Sequence, residues 1–201
     1  LMGNMIIPKC KHLLVSPFTS RKGFKKMIQR EIANAAAGKA AWMVLKMNSL
    51  EDKKMIKDLY KASQAGVRIQ LIVRGICSLR PGIKGVSENI EVISIVDRFL
   101  EHARVYVFAN GGKPRMFTAS ADWMTRNLDR RVEVVIPIYD PAIYAEMWDI
   151  LQLQLKDNVK ARIVDADNKN KYVPHDEKHP VQAQLATYHY LKAKVESAMS
   201  S

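Results

Sequence analysis

Cysteine is scarce here: Cys10 and Cys77 are the only two in 201 residues. Two thiols cannot build a disulfide framework, and their spacing fits no zinc motif, so they read as free thiols of a reducing cytosol. No apolar run approaches the roughly 20 residues that a membrane-spanning helix needs, and no signal peptide is read. The opening Leu1-Met2-Gly3-Asn4 is not a natural start and reads as the edge of an excised fragment. Phosphate-loop signatures are missing too. Gly38-Lys39-Ala40 lacks the leading glycine and the closing Ser or Thr, and there is no glycine fingerprint for dinucleotides. Carboxylates do not cluster into a magnesium cage. His175 and His179 stand four apart, a metal spacing only on a helix, and Pro174 and Pro180 argue against one. No metal site is expected within the chain.

Negative charge is the other shortage. Twenty Asp and Glu face 32 Lys and Arg, a formal net charge of +12. An excess of that size points to a polyanionic partner: nucleic acid, an anionic membrane or polyphosphate. The bland alternative is a solvated basic surface. Hydrophobic residues make up 48% and charged residues 26%, which suits one packed domain and excludes global disorder.

The apolar pattern predicts an α/β order. Residues 11–17 read as a short strand ended by Pro17, and 21–38 as a helix carrying Phe24, Met27, Ile28 and Ile32, with Gly38 as its cap. Residues 42–47 form the next strand. A helix over 49–65 follows, with Ser49 as N-cap and Gly66 as stop, then a strand over 68–73. Strand, helix, strand, helix, strand argues for parallel pairing with right-handed crossovers. Residues 75–89 are a glycine-containing loop. Residues 90–96, 103–109 and 115–119 are strand-like, and Asn110-Gly111-Gly112 is a hairpin signal. A strand over 131–138 leads to a helix from Pro141 to about Lys156. Residues 165–180 read as loop. A terminal amphipathic helix over 181–197 carries Val181, Leu185, Tyr188, Leu191 and Val195.

Ligands of open α/β sheets gather beyond the carboxyl ends of the parallel strands. Arg74 follows such a strand directly, its guanidinium fork suits phosphate oxygens, and Gly75 would admit a ligand close to the backbone. The alternative is an arginine paired with a carboxylate. His102 opens an apolar strand in Arg98-Phe99-Leu100-Glu101-His102-Ala103-Arg104; it could donate to phosphate, move a proton or accept a phosphoryl group, or be structural. Arg104 should share its face. Ser120-Ala121-Asp122-Trp123 and Arg126-Asn127-Leu128-Asp129-Arg130-Arg131 add donors. Within them Asp122 and Asp129 could simply anchor arginines, and Glu133 could orient one. Trp42, Trp123 and Trp148 read as core residues, because none belongs to a spaced aromatic row.

These residues carry a resemblance. Leu71-Ile72-Val73-Arg74-Gly75-Ile76-Cys77-Ser78-Leu79-Arg80-Pro81-Gly82, then Ser94-Ile95-Val96-Asp97-Arg98-Phe99-Leu100-Glu101-His102, then Ser120-Ala121-Asp122-Trp123-Met124-Thr125-Arg126-Asn127-Leu128-Asp129-Arg130-Arg131-Val132-Glu133 closely resemble the C-terminal domain of bacterial, ATP-dependent polyphosphate kinase. Residues 11–17 and Tyr172-Val173-Pro174 fit as well, and the likeness covers almost the whole chain.

The resemblance implies a phospholipase D-like fold, a mixed β-sheet flanked by helices in a single domain. Residues 1–201 would be the catalytic subdomain, with about 1–10 as junction and about 178–201 as terminal helix. It also implies reversible transfer of the terminal phosphate of ATP to polyphosphate. Arg74, His102 and Arg131 match residues around the nucleotide phosphates; Arg104 and Arg126 are further phosphate-binding candidates. The phosphohistidine, the magnesium ligands and the adenine contact of that family would lie in preceding domains. Partners implied are ATP, polyphosphate, the preceding subdomain and further copies of the full-length chain, with no specific nucleic acid. A cytoplasmic location follows, with peripheral membrane association as a variant.

One departure stands out. Phospholipase D enzymes carry His, then Lys two later, then Asp five after that, whereas Arg104 and Ala109 hold those places here. Independent phosphodiester hydrolysis is thereby placed in doubt. The rival readings are a stand-alone phosphodiesterase or nuclease that pairs two His102 residues in a dimer, and a non-catalytic polyanion-binding module.

Overall fold

A computed structural model of the chain describes residues 10–199, so all but the last residue of the expected junction over about 1–10, and Ser200 and Ser201, lie outside the described residues. The element order is β1 (Leu14–Ser16), α1 (Ser20–Ala36), β2 (Trp42–Met47), α2 (Lys53–Gln64), β3 (Arg68–Val73), β4 (Ile90–Ile95), β5 (Arg104–Phe108), β6 (Arg115–Ala119), α3 (Thr125–Asp129), β7 (Glu133–Ile138), α4 (Pro141–Leu155), β8 (Ala161–Ile163) and α5 (Ala183–Met199). The eight strands form one sheet in the order β1-β7-β6-β5-β2-β3-β4-β8.

Period-2 alternation builds its two faces. Met43, Leu45 and Met47 of β2, Ile69, Leu71 and Val73 of β3, and Tyr106 and Phe108 of β5 pack against Phe24 and Ile28 of α1 and Met55 and Leu59 of α2. Val44, Ile72, Val105 and Val107 turn to the other face, under Leu151 of α4 and Ala183 of α5. Central strands covered on both sides read as near-continuous apolar runs, which is why they were legible.

The parallel set is β2, β3 and β4, not the first three strands in sequence. β1 lies at the far edge, antiparallel to the start of β7. A three-residue strand has too little ladder to claim a central place, and α1 carries the chain back across the sheet. Pro137 of β7 pairs with Phe117 beyond the last β1 partner, Val135, at a position where a missing N–H costs no ladder bond. β7 starts two residues later than the pattern suggests, leaving Arg131 in a turn where its N–H donates to the Arg126 carbonyl at 2.9 Å. The short α3 and β8 went unread because a few residues carry no periodicity.

Helix α2 also starts later than Ser49. Leu50 is held extended by bridges to Cys77 and Trp123, so the helix cannot begin until Asp52, whose Oδ1 caps the N–H groups of Lys54 and Met55 at 3.1 and 2.9 Å. Its stop is as expected, Gly66 taking φ +86°. Asp52 also receives two bonds from Arg21, both at 2.7 Å, and one from Thr125 Oγ1 at 2.9 Å. Burial would raise its carboxyl, but the bonds from Arg21, Met55 and Thr125 win and hold it at about 2, below the ordinary 3.8. The folded state therefore favours the ionised form. That stabilisation is complete above the unfolded value and is lost as pH falls toward the folded one. It is worth roughly 2 kcal/mol. Urea unfolding of the chain between pH 5 and pH 2 should show this loss, and Asp52→Asn should flatten it; superimposable profiles would contradict the account.

The terminal helix exists, but its apolar stripe does not pack: Leu185, Tyr188 and Val195 stay at least half exposed. α5 meets α4 instead through polar pairs, Tyr190 with Asp149 at 2.8 Å and Lys194 with Glu146 at 2.7 Å. Among the described residues no helix is long and apolar enough to cross a membrane. Trp123 is fully buried, and Trp42 and Trp148 pack on each other with ring centroids 5.4 Å apart.

Candidate anion site

The topology brings the carboxyl ends of β2 and β3 and the start of β5 to one edge. Three residues emerge there: Asn48 after β2, Arg74 after β3 and His102 before β5. Arg74 donates from Nε and Nη2 to Asn48 Oδ1 at 3.2 and 3.0 Å, leaving Nη1 with no partner among the described residues. Asn48 is fixed in turn by Asp122, whose Oδ1 accepts the Asn48 backbone N–H at 2.8 Å and its Nδ2 at 3.3 Å. Asp122 also grips Arg104, Nε to Oδ1 and Nη2 to Oδ2, each at 3.2 Å. From there Arg104 Nη1 reaches His102, 3.0 Å to its carbonyl and 3.2 Å to its ring Nδ1.

A guanidinium cannot accept a hydrogen bond, so Nδ1 is the acceptor and the neutral ring carries its proton on Nε2. A single hydrogen-bonded frame thus holds Arg74, Arg104 and His102. Arg104 is paired with a carboxylate, the structural alternative that sequence had left open for Arg74.

The support is rigid. Tyr106 donates to the Ala121 carbonyl at 2.7 Å. Its ring stacks on Trp123 at 5.5 Å and 6°, with Phe24 packed on both. Asp122 is thereby clamped from both chain neighbours. Burial, with the Asp122 charge adding to it, pushes the Tyr106 phenol far above its ordinary range.

Next to this frame lies a second network. Lys46 of β2 is buried, and its amine donates to Glu101 Oε2 and, at 2.9 Å, to Gln154 Oε1. Burial lowers its pKa, the Glu101 carboxylate opposes that, and the Arg74 charge adds to it.

Several expectations need correction. Gly75 is needed for an internal approach: a Cβ there would stand 3.0 Å from the Asn48 carbonyl oxygen, which its own N–H meets at 2.7 Å. Glu133 orients no arginine; it binds Ser120 Oγ and, at 2.6 Å, Asn127 Nδ2. Asp129 does anchor an arginine, though a distant one, Arg21, at 2.6 Å. Arg126 and Arg131 share the edge but make no side-chain hydrogen bond or ion pair with a described residue, and they are not joined to the frame. Two strand spacings of about 4.8 Å separate the β7 that follows Arg131 from the β5 of His102. His175 and His179 are engaged separately, by the Asn158 carbonyl and by Asp176 Oδ2, each at 3.0 Å.

Asn48, Lys46, Glu101 and Gln154 were missed. Signals existed for two of them: Asn48 follows its strand as Arg74 follows the next, and Lys46 is a lone charge inside an apolar run.

Comparison with known proteins gives a consistent picture. The family model described as polyphosphate kinase C-terminal domain 2 matches residues 13–184. The polyphosphate kinase of Vibrio parahaemolyticus is 51% identical over 184 residues, covering 92% of this chain and 26% of that protein. The crystal structure of polyphosphate kinase from Porphyromonas gingivalis aligns with a TM-score of 0.92 at 47% identity, over 96% of this chain and 30% of that one. Nuc from Salmonella typhimurium, a phospholipase D family member, aligns with a TM-score of 0.56 at 14% identity, over 76% of this chain and 96% of that one, a likeness of fold alone. The chain spans about a quarter of the length of the curated relatives it matches. Its eight-stranded mixed sheet with flanking helices is a phospholipase D-like fold, and the chain belongs to the polyphosphate kinase C-terminal domain 2 family.

Proposed function

We propose that this chain is the C-terminal catalytic subdomain of a polyphosphate kinase, supplying phosphate-binding residues to a centre that moves the terminal phosphate of ATP reversibly onto a polyphosphate chain. Residues 1–201 would make up that subdomain. The observation that supports the reading best is the frame Arg74–Asn48–Asp122–Arg104–His102, which presents cationic and imidazole donors at the carboxyl edge of the parallel strands.

Phosphoryl transfer asks a protein chiefly for positioning and charge neutralisation. Arg74 and Arg131 would neutralise transferring oxygens, and Arg126 would hold a neighbouring phosphate. His102 would donate from Nε2 to the leaving phosphate. Arg104, committed to Asp122, would orient the His102 ring rather than bind phosphate itself. The net charge of +12 would draw a polyphosphate chain to the site, with affinity falling as salt rises.

The phosphohistidine would come from the preceding subdomain of the same chain. Among the described residues no three His, Cys, Asp or Glu side chains converge as metal ligands. The magnesium expected of the full-length enzyme would be held by ligands in the rest of the protein. The full-length protein would work in the cytoplasm, as a homo-oligomer.

Arg74→Ala tests the reading. In the full-length protein it should weaken ATP or polyphosphate binding by roughly 1.5–3 kcal/mol, the worth of a hydrogen bond to a charged group. Isothermal calorimetry measures it, and equal affinities for wild type and variant would sink the proposal.

A further inference from the structure

His102 is carried by residues 97–103, a stretch between β4 and β5 without regular structure, with Phe99 and Leu100 left 67% and 73% exposed. None of the backbone–backbone hydrogen bonds of turns and loops involves these residues. Such a segment is entropically costly to order, yet a group acting on a phosphate must be held to within about 0.5 Å. Side chains supply what the backbone does not.

Gln184, in the first turn of α5, does most of this. Its Oε1 accepts the Phe99 N–H at 3.0 Å and its Nε2 donates to the Phe99 carbonyl at 2.8 Å. One amide thus satisfies both main-chain groups of one residue, as a neighbouring strand would. The same Nε2 lies 3.2 Å from Glu101 Oε1, and Gln182 Nε2 donates to Asp97 Oδ2 at 2.8 Å. The other Glu101 oxygen is held by Lys46 and, at 2.8 Å, by Gln154 Nε2. β2, α4 and α5 therefore converge on the residue immediately before His102, while Arg104 holds it from the other side.

The base of this splint is firm. The N–H of buried Ala183 donates to Asp157 Oδ2 at 2.7 Å, and the other oxygen of Asp157 accepts three backbone N–H groups, from Val159, Lys160 and Ala161.

We propose that Gln184 is a positioning residue for His102: its amide splints the 97–103 segment, and Glu101 is the second fastening. The inference rests on the role proposed above for His102.

The experiment is Gln184→Ala in the full-length enzyme, beside His102→Ala and the exposed neighbour Leu185→Ala. For Gln184→Ala, kcat for polyphosphate synthesis should fall about 10- to 100-fold while KM for ATP stays within about twofold. Hydrogen exchange should show that the Phe99 amide, protected in the wild type, is no longer protected. Leu185→Ala should match the wild type in both. Gln184→Glu keeps an acceptor for the Phe99 N–H but sets a second carboxylate against Glu101, so it should not restore the rate.

Protection of Phe99 that survives Gln184→Ala would overturn the splint. So would an unchanged kcat in that variant where His102→Ala is inactive. Full turnover in His102→Ala would instead remove the functional reading, whatever the exchange result.

Discussion

Full-length enzyme carrying His102→Ala is expected to lose about 10²- to 10⁴-fold in ATP-to-polyphosphate turnover, the range over which a positioned proton donor contributes. The loss should come without unfolding. The ring is exposed, and its one hydrogen bond among the described residues is to Arg104. Because Arg104 can only donate, His102 keeps its proton on Nε2, the nitrogen left free to meet a phosphate oxygen. His102→Gln then separates two roles. A glutamine amide can donate a hydrogen bond to that oxygen and cannot give up a proton. Turnover near wild type in the glutamine variant assigns His102 to hydrogen bonding; turnover as low as in the alanine variant assigns it to proton transfer. Polyphosphate formed from saturating ATP is the measurement, with thermal unfolding as the control. An alanine variant as fast as the wild type would take His102 out of the chemistry.

Much of the fold was legible because local pattern and tertiary role coincide. β2 and β3 are apolar runs covered on both faces, and α2 between them has the length of a parallel crossover, so their pairing follows from sequence. The first strand misled because its partner, Glu133–Val135, lies more than a hundred residues away and leaves no local trace. Ser49 looked like a cap, and locally it is a good one; the bridges of Leu50 to Cys77 and Trp123 override it. The same divide runs through the candidate site. Arg74 was found by its place at a strand end and His102 by its place at a strand start. What fixes them was not legible. Asn48 meets Asp122 across 74 residues, and Lys46 meets Glu101 across 55 and Gln154 across 108. Each of those side chains has an ordinary local reading, as a strand-end amide, a surface carboxylate or a helix-surface glutamine. The terminal helix shows the reverse failure: its stripe of apolar residues is regular, yet Leu185, Tyr188 and Val195 stay exposed, and the helix is held by its buried first residue, Ala183, and by polar pairs to α4.

Asp122→Ala should have the largest effect on stability. The buried Asp122 carboxylate receives two bonds from Arg104 and two from Asn48. Its removal leaves the Arg104 guanidinium largely enclosed without a counter-charge and orphans the Asn48 donors. Breaking one side of such a pair costs about 3–5 kcal/mol, a large share of the roughly 5–15 kcal/mol that holds a domain folded. Urea unfolding of the chain measures it.

Arg104→Met in the same molecule separates stability from geometry. With the second charge gone, little uncompensated charge remains, and the double variant should regain much of the lost stability. It should not regain turnover in the full-length enzyme, since His102 would have lost the donor on Nδ1 and Asn48, with Arg74 behind it, the acceptor that fixes it. A double variant as unstable as Asp122→Ala alone would shift the cost from the stranded charge to the Asn48 bonds. A double variant that regained full turnover would show that the frame is not what holds Arg74 and His102 in place.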